Sequence, residues 1–131
     1  MIDAEVKIFN KVHAAVAPLC ADKKFVSTII VEKPTAFPAA SLIEIDNRIV
    51  REHQSSTSTE NIALLTYQLD VYATSKRECR NVFMAADEAM VAMNFCRISG
   101  MYISYPSDLK LFRYTARYDA EIDQEGNLYR R

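Results

Sequence analysis

The chain has no tryptophan, only two glycines, four prolines and two histidines, and each scarcity removes a class of protein. So few glycines leave no glycine-rich loop to cradle a phosphate, and there is no Gly-x-Ser-x-Gly elbow or His-Glu-x-x-His pair. Scarce glycine and proline also argue against a disordered or low-complexity chain. His13 and His53 lie far apart. The three cysteines, Cys20, Cys79 and Cys96, are widely spaced with no second Cys or His at ligand spacing. We therefore expect no metal, no cofactor and no catalytic residue, and read the cysteines as reduced thiols on or near apolar helix stripes. An excess of positive charge is missing too: 16 basic residues stand against 17 acidic, which speaks against a dedicated nucleic-acid binder. No apolar run approaches the roughly 18 residues of a membrane span. The start, Met1-Ile2-Asp3-Ala4-Glu5, lacks a basic-then-apolar signal pattern, so the expected site of synthesis and assembly is the cytoplasm.

What the chain does have is pattern. Half of its 131 residues are hydrophobic and a quarter charged, which suits one α+β domain spanning residues 1–131, able to bury a core without staples. From Lys110 to Ile122 apolar and polar residues alternate without a break. Phe112, Tyr114, Ala116, Tyr118, Ala120 and Ile122 share one face, and Arg113, Thr115, Arg117, Asp119 and Glu121 the other. A period of two over that length predicts a long antiparallel strand needing neighbours on both edges. Its charged face is suited to meet another subunit or a wet lumen.

The remaining elements follow from period and punctuation. Ile2, Val6, Phe9, Val12, Val16 and Leu19 step by three and four, predicting a helix from Asp3 to Cys20 with Pro18 near its end. Phe25 to Glu32 is rich in β-branched residues and reads as a strand. Ser41 to Val50 alternates as a second, placing Glu44, Asp46 and Arg48 on one side, where a salt-bridged solvated face is the expected outcome. Ile62 to Tyr72 is a third, with Ala63, Leu65, Tyr67, Leu69 and Val71 inward. Ser75-Lys76-Arg77-Glu78 has the form of a capping box. The helix it opens carries Cys79, Val82, Phe83, Ala86, Met90, Met93 and Cys96 on one stripe, with Gly100 as its stop. Met101 to Tyr105 reads as a fourth strand. Asp123 to Asn127 reads as a reversal that returns Leu128 to Arg131 as a short last strand. The sum is helix, three strands, helix, two strands and a short strand: a mainly antiparallel mixed sheet of five to six strands with two helices packed on one face.

Two further stretches stand out. Arg51 to Glu60 is polar and turn-free, too polar to serve the core, and reads as a loop able to meet a partner surface. Tyrosines at 102, 105, 114, 118 and 129 are interleaved with Arg113, Arg117, Arg130 and Arg131, the aromatic and arginine mixture favoured at protein interfaces.

Three runs carry a family resemblance. They are Phe37-Pro38-Ala39-Ala40-Ser41-Leu42-Ile43-Glu44; Glu60-Asn61 leading into the strand from Leu64 to Thr74, with Lys76-Arg77-Glu78-Cys79 after it; and Phe112 to Tyr118 with Ile122-Asp123 and Gly126 to Tyr129. Together they resemble the tail-terminator or tail-completion proteins of long-tailed phages and prophages, over nearly the whole chain. The resemblance implies an α+β fold and a non-enzymatic virion protein of the tail or neck. It also implies a homo-oligomeric ring, by implication a hexamer, that stops the major tail tube protein and joins it to the head–tail connector or stopper. DNA would pass through such a ring without being specifically recognised, and no membrane is involved. On that reading Arg51, Glu52, His53, Gln54, Thr59 and Glu60 are placed at the axial contact. Arg113, Arg117 and Asp119, with Tyr129 and Arg130, are placed between subunits. Glu44, Asp46, Glu121 and Asp123 would keep a lumen from gripping phosphate if they face it. A head–tail joining or head-completion neck protein, and a cytoplasmic ligand-binding, regulatory or enzymatic α+β domain, stay open as alternatives.

Overall fold

A computed structural model describes residues 1–20, 25–27, 37–50, 62–103 and 111–130. Two helices, α1 (Glu5–Val16) and α2 (Lys76–Ala92), accompany six strands. The strands are β1 (Phe25–Val26), β2 (Ala39–Ile49), β3 (Ile62–Ala73), β4 (Cys96–Ile103), β5 (Phe112–Asp123) and β6 (Leu128–Tyr129). They form one sheet in the order β1-β2-β3-β5-β4, with β6 also paired to β5. Only the β1–β2 pairing is parallel. The long strand finds a neighbour on each edge, as its alternation requires: β3 along its whole length, and β4 then β6 along the other side.

Both helices cover the face that carries Leu42 of β2, the alternating row Ala63, Leu65, Tyr67, Leu69 and Val71 of β3, and Ala116, Tyr118, Ala120 and Ile122 of β5, all of them buried. Helix α2 contributes Cys79, Val82, Phe83, Ala86 and Met90, the stripe expected of it. Its start is fixed by Ser75, whose hydroxyl accepts from the Glu78 N–H at 3.3 Å, leaving one fewer orphan donor in the first turn. On α1 the buried stripe is Ile8, Val12 and Val16, not the row through Val6. Two residues correspond to about 200° of helical rotation, so once Ile8 faces the core, Val6 must face away, and it is 73% exposed.

Two expectations are corrected, at β2 and at β4. In β2, Glu44 pairs with Tyr67 but Asp46 pairs with Thr66, so Ile45 is an extra residue, a β-bulge. The bulge puts Glu44 on the helix-covered face and Asp46 and Arg48 on the other. Glu44 accepts from the Tyr67 hydroxyl at 3.1 Å, and burial raises its carboxyl pKa, an effect the Tyr67 hydrogen bond only partly offsets. Asp46 and Arg48 keep their solvated ion pair at 4.0 Å.

The second correction concerns Gly100, which does not stop α2. That helix ends at Met93, and Asn94 takes the left-handed conformation (φ 73°). Phe95 N–H then donates back to the Met90 carbonyl, and the chain enters β4 at once, so Cys96 opens a strand rather than closing a helix. Asn94 substitutes for glycine because its short amide tolerates φ > 0, and here its Nδ2 donates to the Leu128 carbonyl at 2.9 Å.

Gly100 instead lies opposite Ala116, under the ring of Tyr114. A Cβ there would stand 2.5 Å from the Tyr114 hydroxyl and 3.2 Å from Cζ. That ring packs against Phe83 (4.1 Å between centroids) and Tyr102 (4.7 Å), so moving it aside would disturb both contacts. Gly100→Ala should therefore cost about 1–3 kcal/mol through overpacking. Adding Tyr114→Phe, which removes the nearest atom, should return part of the loss. Urea unfolding of the two single variants and the double variant would measure the coupling, and simple additivity would contradict the steric account.

Candidate interaction surface

The face of the sheet opposite the helices carries the polar residues that the alternation assigned there. Across its centre run Ser41 of β2, Asp70 of β3 and Thr115 of β5. Along β5 the row reads Arg113, Thr115, Arg117, Asp119, Glu121 and Asp123. Ser41, Asp70 and Asp119 are buried.

Asp70 organises the basic half. Its Oδ1 accepts from Nε and Nη2 of Arg113 at 3.1 and 2.9 Å, and its Oδ2 accepts from Gln68 Nε2 at 2.9 Å. The Arg113 guanidinium also lies over the Tyr72 ring, 5.4 Å from its centroid, so it is held rather than free to reorient. Beside it, Gln68, Ser99, Met101, Arg113, Thr115 and Arg117 line a depression of about 350 Å³. Arg117 is exposed at its wall.

The acidic end of the row closes into the β5–β6 reversal. Asp123 accepts there from the backbone N–H groups of Glu125 and Asn127, both at 2.9 Å, and from Asn127 Nδ2 and the Tyr129 hydroxyl. These bonds favour its charged form and pull its pKa down, the Asn127 backbone bond foremost. The same carboxylate raises the pKa of Tyr129. Gly126, at φ +87°, supplies the left-handed turn residue. Arg130 reaches the Val91 carbonyl at the end of α2, 2.9 Å away.

The structure thus brings Arg113 and Arg117 to one depression, with Asp119 next in the row. Tyr129 and Arg130 sit at the far end, engaged with the turn and with α2. Arg51, Glu52, His53, Gln54, Thr59 and Glu60 lie outside the described residues. Sequence reading missed Asp70 and Gln68, because an acid within an apolar strand gave no sign that an arginine 43 residues later would anchor it. Because of the bulge, Glu44 is separated from Asp46, Glu121 and Asp123, so the four carboxylates do not share a face.

Among the described residues no three His, Cys, Asp or Glu side chains are grouped to hold a metal ion, and no helix is long and apolar enough to cross a membrane. A cleft of about 840 Å³ opens between the start of α1 and the reversal, with Ile2, Val6 and Ile122 beside Lys7, Gln124 and Glu125.

Two helices on one face of a six-stranded mixed sheet define an α+β single-domain fold. No protein-family model matches the chain, and no curated protein matches it by sequence. Among solved structures it is similar to a chain of the virion of a native gene transfer agent particle. The two share 12% identity, with a TM-score of 0.58 over 91% of this chain and 93% of that one. At that identity the likeness is one of fold.

Proposed function

We propose that this chain is a structural, non-enzymatic component of a phage-like virion, and within it a tail terminator. On this reading copies close into a six-fold ring that caps the tail tube and joins it to the head connector. The observation that carries the reading is the fold shared, over nearly the full length of both chains, with a chain of the gene transfer agent virion. It points the same way as the resemblance in the sequence. A ring of one small domain needs two different surfaces that complement each other around a closed rotation. The helix-free face, basic at one end of β5 and acidic at the other, supplies two such surfaces. The polar stretch from Arg51 to Glu60 is assigned to axial contact with the tube or connector.

The test is the mass of the purified protein in solution, followed by electron microscopy with and without a candidate major tail tube protein. Rings of six capping tube ends are the expected result. Rings that bind the connector and ignore tube ends would make this a head–tail joining protein instead. A stable monomer or dimer indifferent to both would overturn the virion reading.

A further inference from the structure

The reversal after β5 presents a charged group with no ion-pair partner among the described residues, although the Lys7 ammonium reaches the adjacent Gly126 carbonyl at 3.5 Å. Glu125 stands exposed at the tip of that turn. Its backbone N–H is spent on Asp123, and among the described residues its carboxylate has no hydrogen bond or ion pair. Asp123 cannot serve in its place, because both of its oxygens already accept from the turn. The same bonds hold the tip in one shape, so docking it would cost little ordering entropy.

Midway along β5 (Phe112–Asp123), Arg117 is the complementary group. It is exposed on the wall of the depression with Ser99, Thr115 and Gln68 as polar neighbours and Met101 as an apolar one. Among the described residues its guanidinium has no carboxylate, whereas neighbouring Arg113 is already paired with Asp70. The six steps from Arg117 to Asp123 span roughly 20 Å of extended strand. Glu125 lies beyond that, so the two charges cannot meet within one molecule. Between two copies arranged head to tail they can.

We propose that the depression around Arg117 receives the Glu125 carboxylate of a second copy of this chain. The five donors of the guanidinium can bind both carboxylate oxygens at once, and the depression of about 350 Å³ has room for a glutamate side chain. Because the tip and the depression are two different patches of the surface, the contact is heterologous and propagates from copy to copy. This rests on the ring reading above and names the contact that would close the ring.

Charge exchange tests it. Arg117→Glu and Glu125→Arg would each set like charges against one another, weakening self-association by about 30- to 100-fold, as read by analytical ultracentrifugation over a concentration series. The double variant, Arg117→Glu with Glu125→Arg, would restore assembly, and sodium chloride at 0.5 M would weaken wild type and double variant alike. Both positions are exposed, and circular dichroism would check that each variant remains folded. If the single variants assemble as wild type does, or the double variant stays dissociated, this contact is refuted while the ring reading stands. A wild-type protein that remains monomeric at every concentration would refute both.

Discussion

Replacing Asp70 by alanine is expected to destabilise the fold by about 3 kcal/mol, lowering the melting temperature by about 10 °C for a chain of this length. Its side chain is 3% exposed and accepts three hydrogen bonds, two from Arg113 and one from Gln68. Removing it leaves the Arg113 charge, whose side chain is only 24% exposed, facing a cavity where the Asp70 carboxylate had been. That is the costly way to break a partly buried pair, because desolvation of the cation is retained while the attraction is lost. Arg113→Met should cost less, since methionine keeps much of the stem packed against Tyr72 and leaves the carboxylate with Gln68. Asp70→Ala combined with Arg113→Met should recover part of the single-variant loss. Urea unfolding of the three variants closes the cycle. A coupling near zero would mean that the pair holds nothing together.

The second large effect is loss of stability in alkali. Burial pushes the Cys79 thiol from its ordinary 9.0 up to about 11, and the Cys20 thiol to about 11 as well. Tyr67 and Tyr118 are raised above the ordinary 10.0, first by burial and then by the carboxylates they donate to, Glu44 and Asp87. A group whose pKa is raised by folding stabilises the fold fully below its unfolded value and loses that contribution as pH climbs to the folded value. Here the thiols act from 9.0 to about 11, and the two phenols from 10.0 upward. Each proton kept by the folded chain and lost by the unfolded one removes about 1.4 kcal/mol per pH unit. Stability measured by urea at successive pH values should therefore fall with increasing slope above pH 9. Cys79→Ala should flatten the curve between 9.0 and about 11, and Tyr118→Phe should flatten it above 10.0. An unchanged slope in both variants would place the alkaline loss elsewhere. Cys20 contributes less than Cys79 because it is only partly buried, and solvent can reach its thiolate.

The central strands were legible in the sequence because each is buried by rule on one face. The β3 row from Ala63 to Val71 and the β5 row through Tyr118 have the period of two that a strand imposes. The capping box at Ser75 and the reversal at Gly126 were legible as well, since both depend on side chains within four residues of one another. Three features were not legible, each for its own physical reason. Ile45 looks like an ordinary strand residue and Ile98 falls where the helix is expected to end, and only the pairing with a distant strand shows that each is surplus. Gly100 reads as a helix stop until a tyrosine 14 residues later is seen to need its space. The Asp70–Arg113 pair depends on register between β3 and β5, which no local pattern encodes. Arg117 was placed on the right face by parity alone, whereas the depression around it needs Ser99 and Met101 from a neighbouring strand.

The bulges at Ile45 and Ile98 also decide where this chain tolerates a change of length. A strand that loses one residue normally exchanges its two faces from that point onward, turning core side chains out and charges in. At these two positions the partner strand already advances by one residue while β2 or β4 advances by two. Deleting Ile45 or Ile98, which are 39% and 53% exposed, therefore leaves every later residue of the strand on the face it now occupies. The same deletion at the third pair after each bulge, at Arg48 or Met101, would invert the remainder of the strand. Strands β2 and β4 thus each hold one residue whose loss keeps both faces in place, and among the described residues these are positions where a strand can change length without turning its core side chains outward.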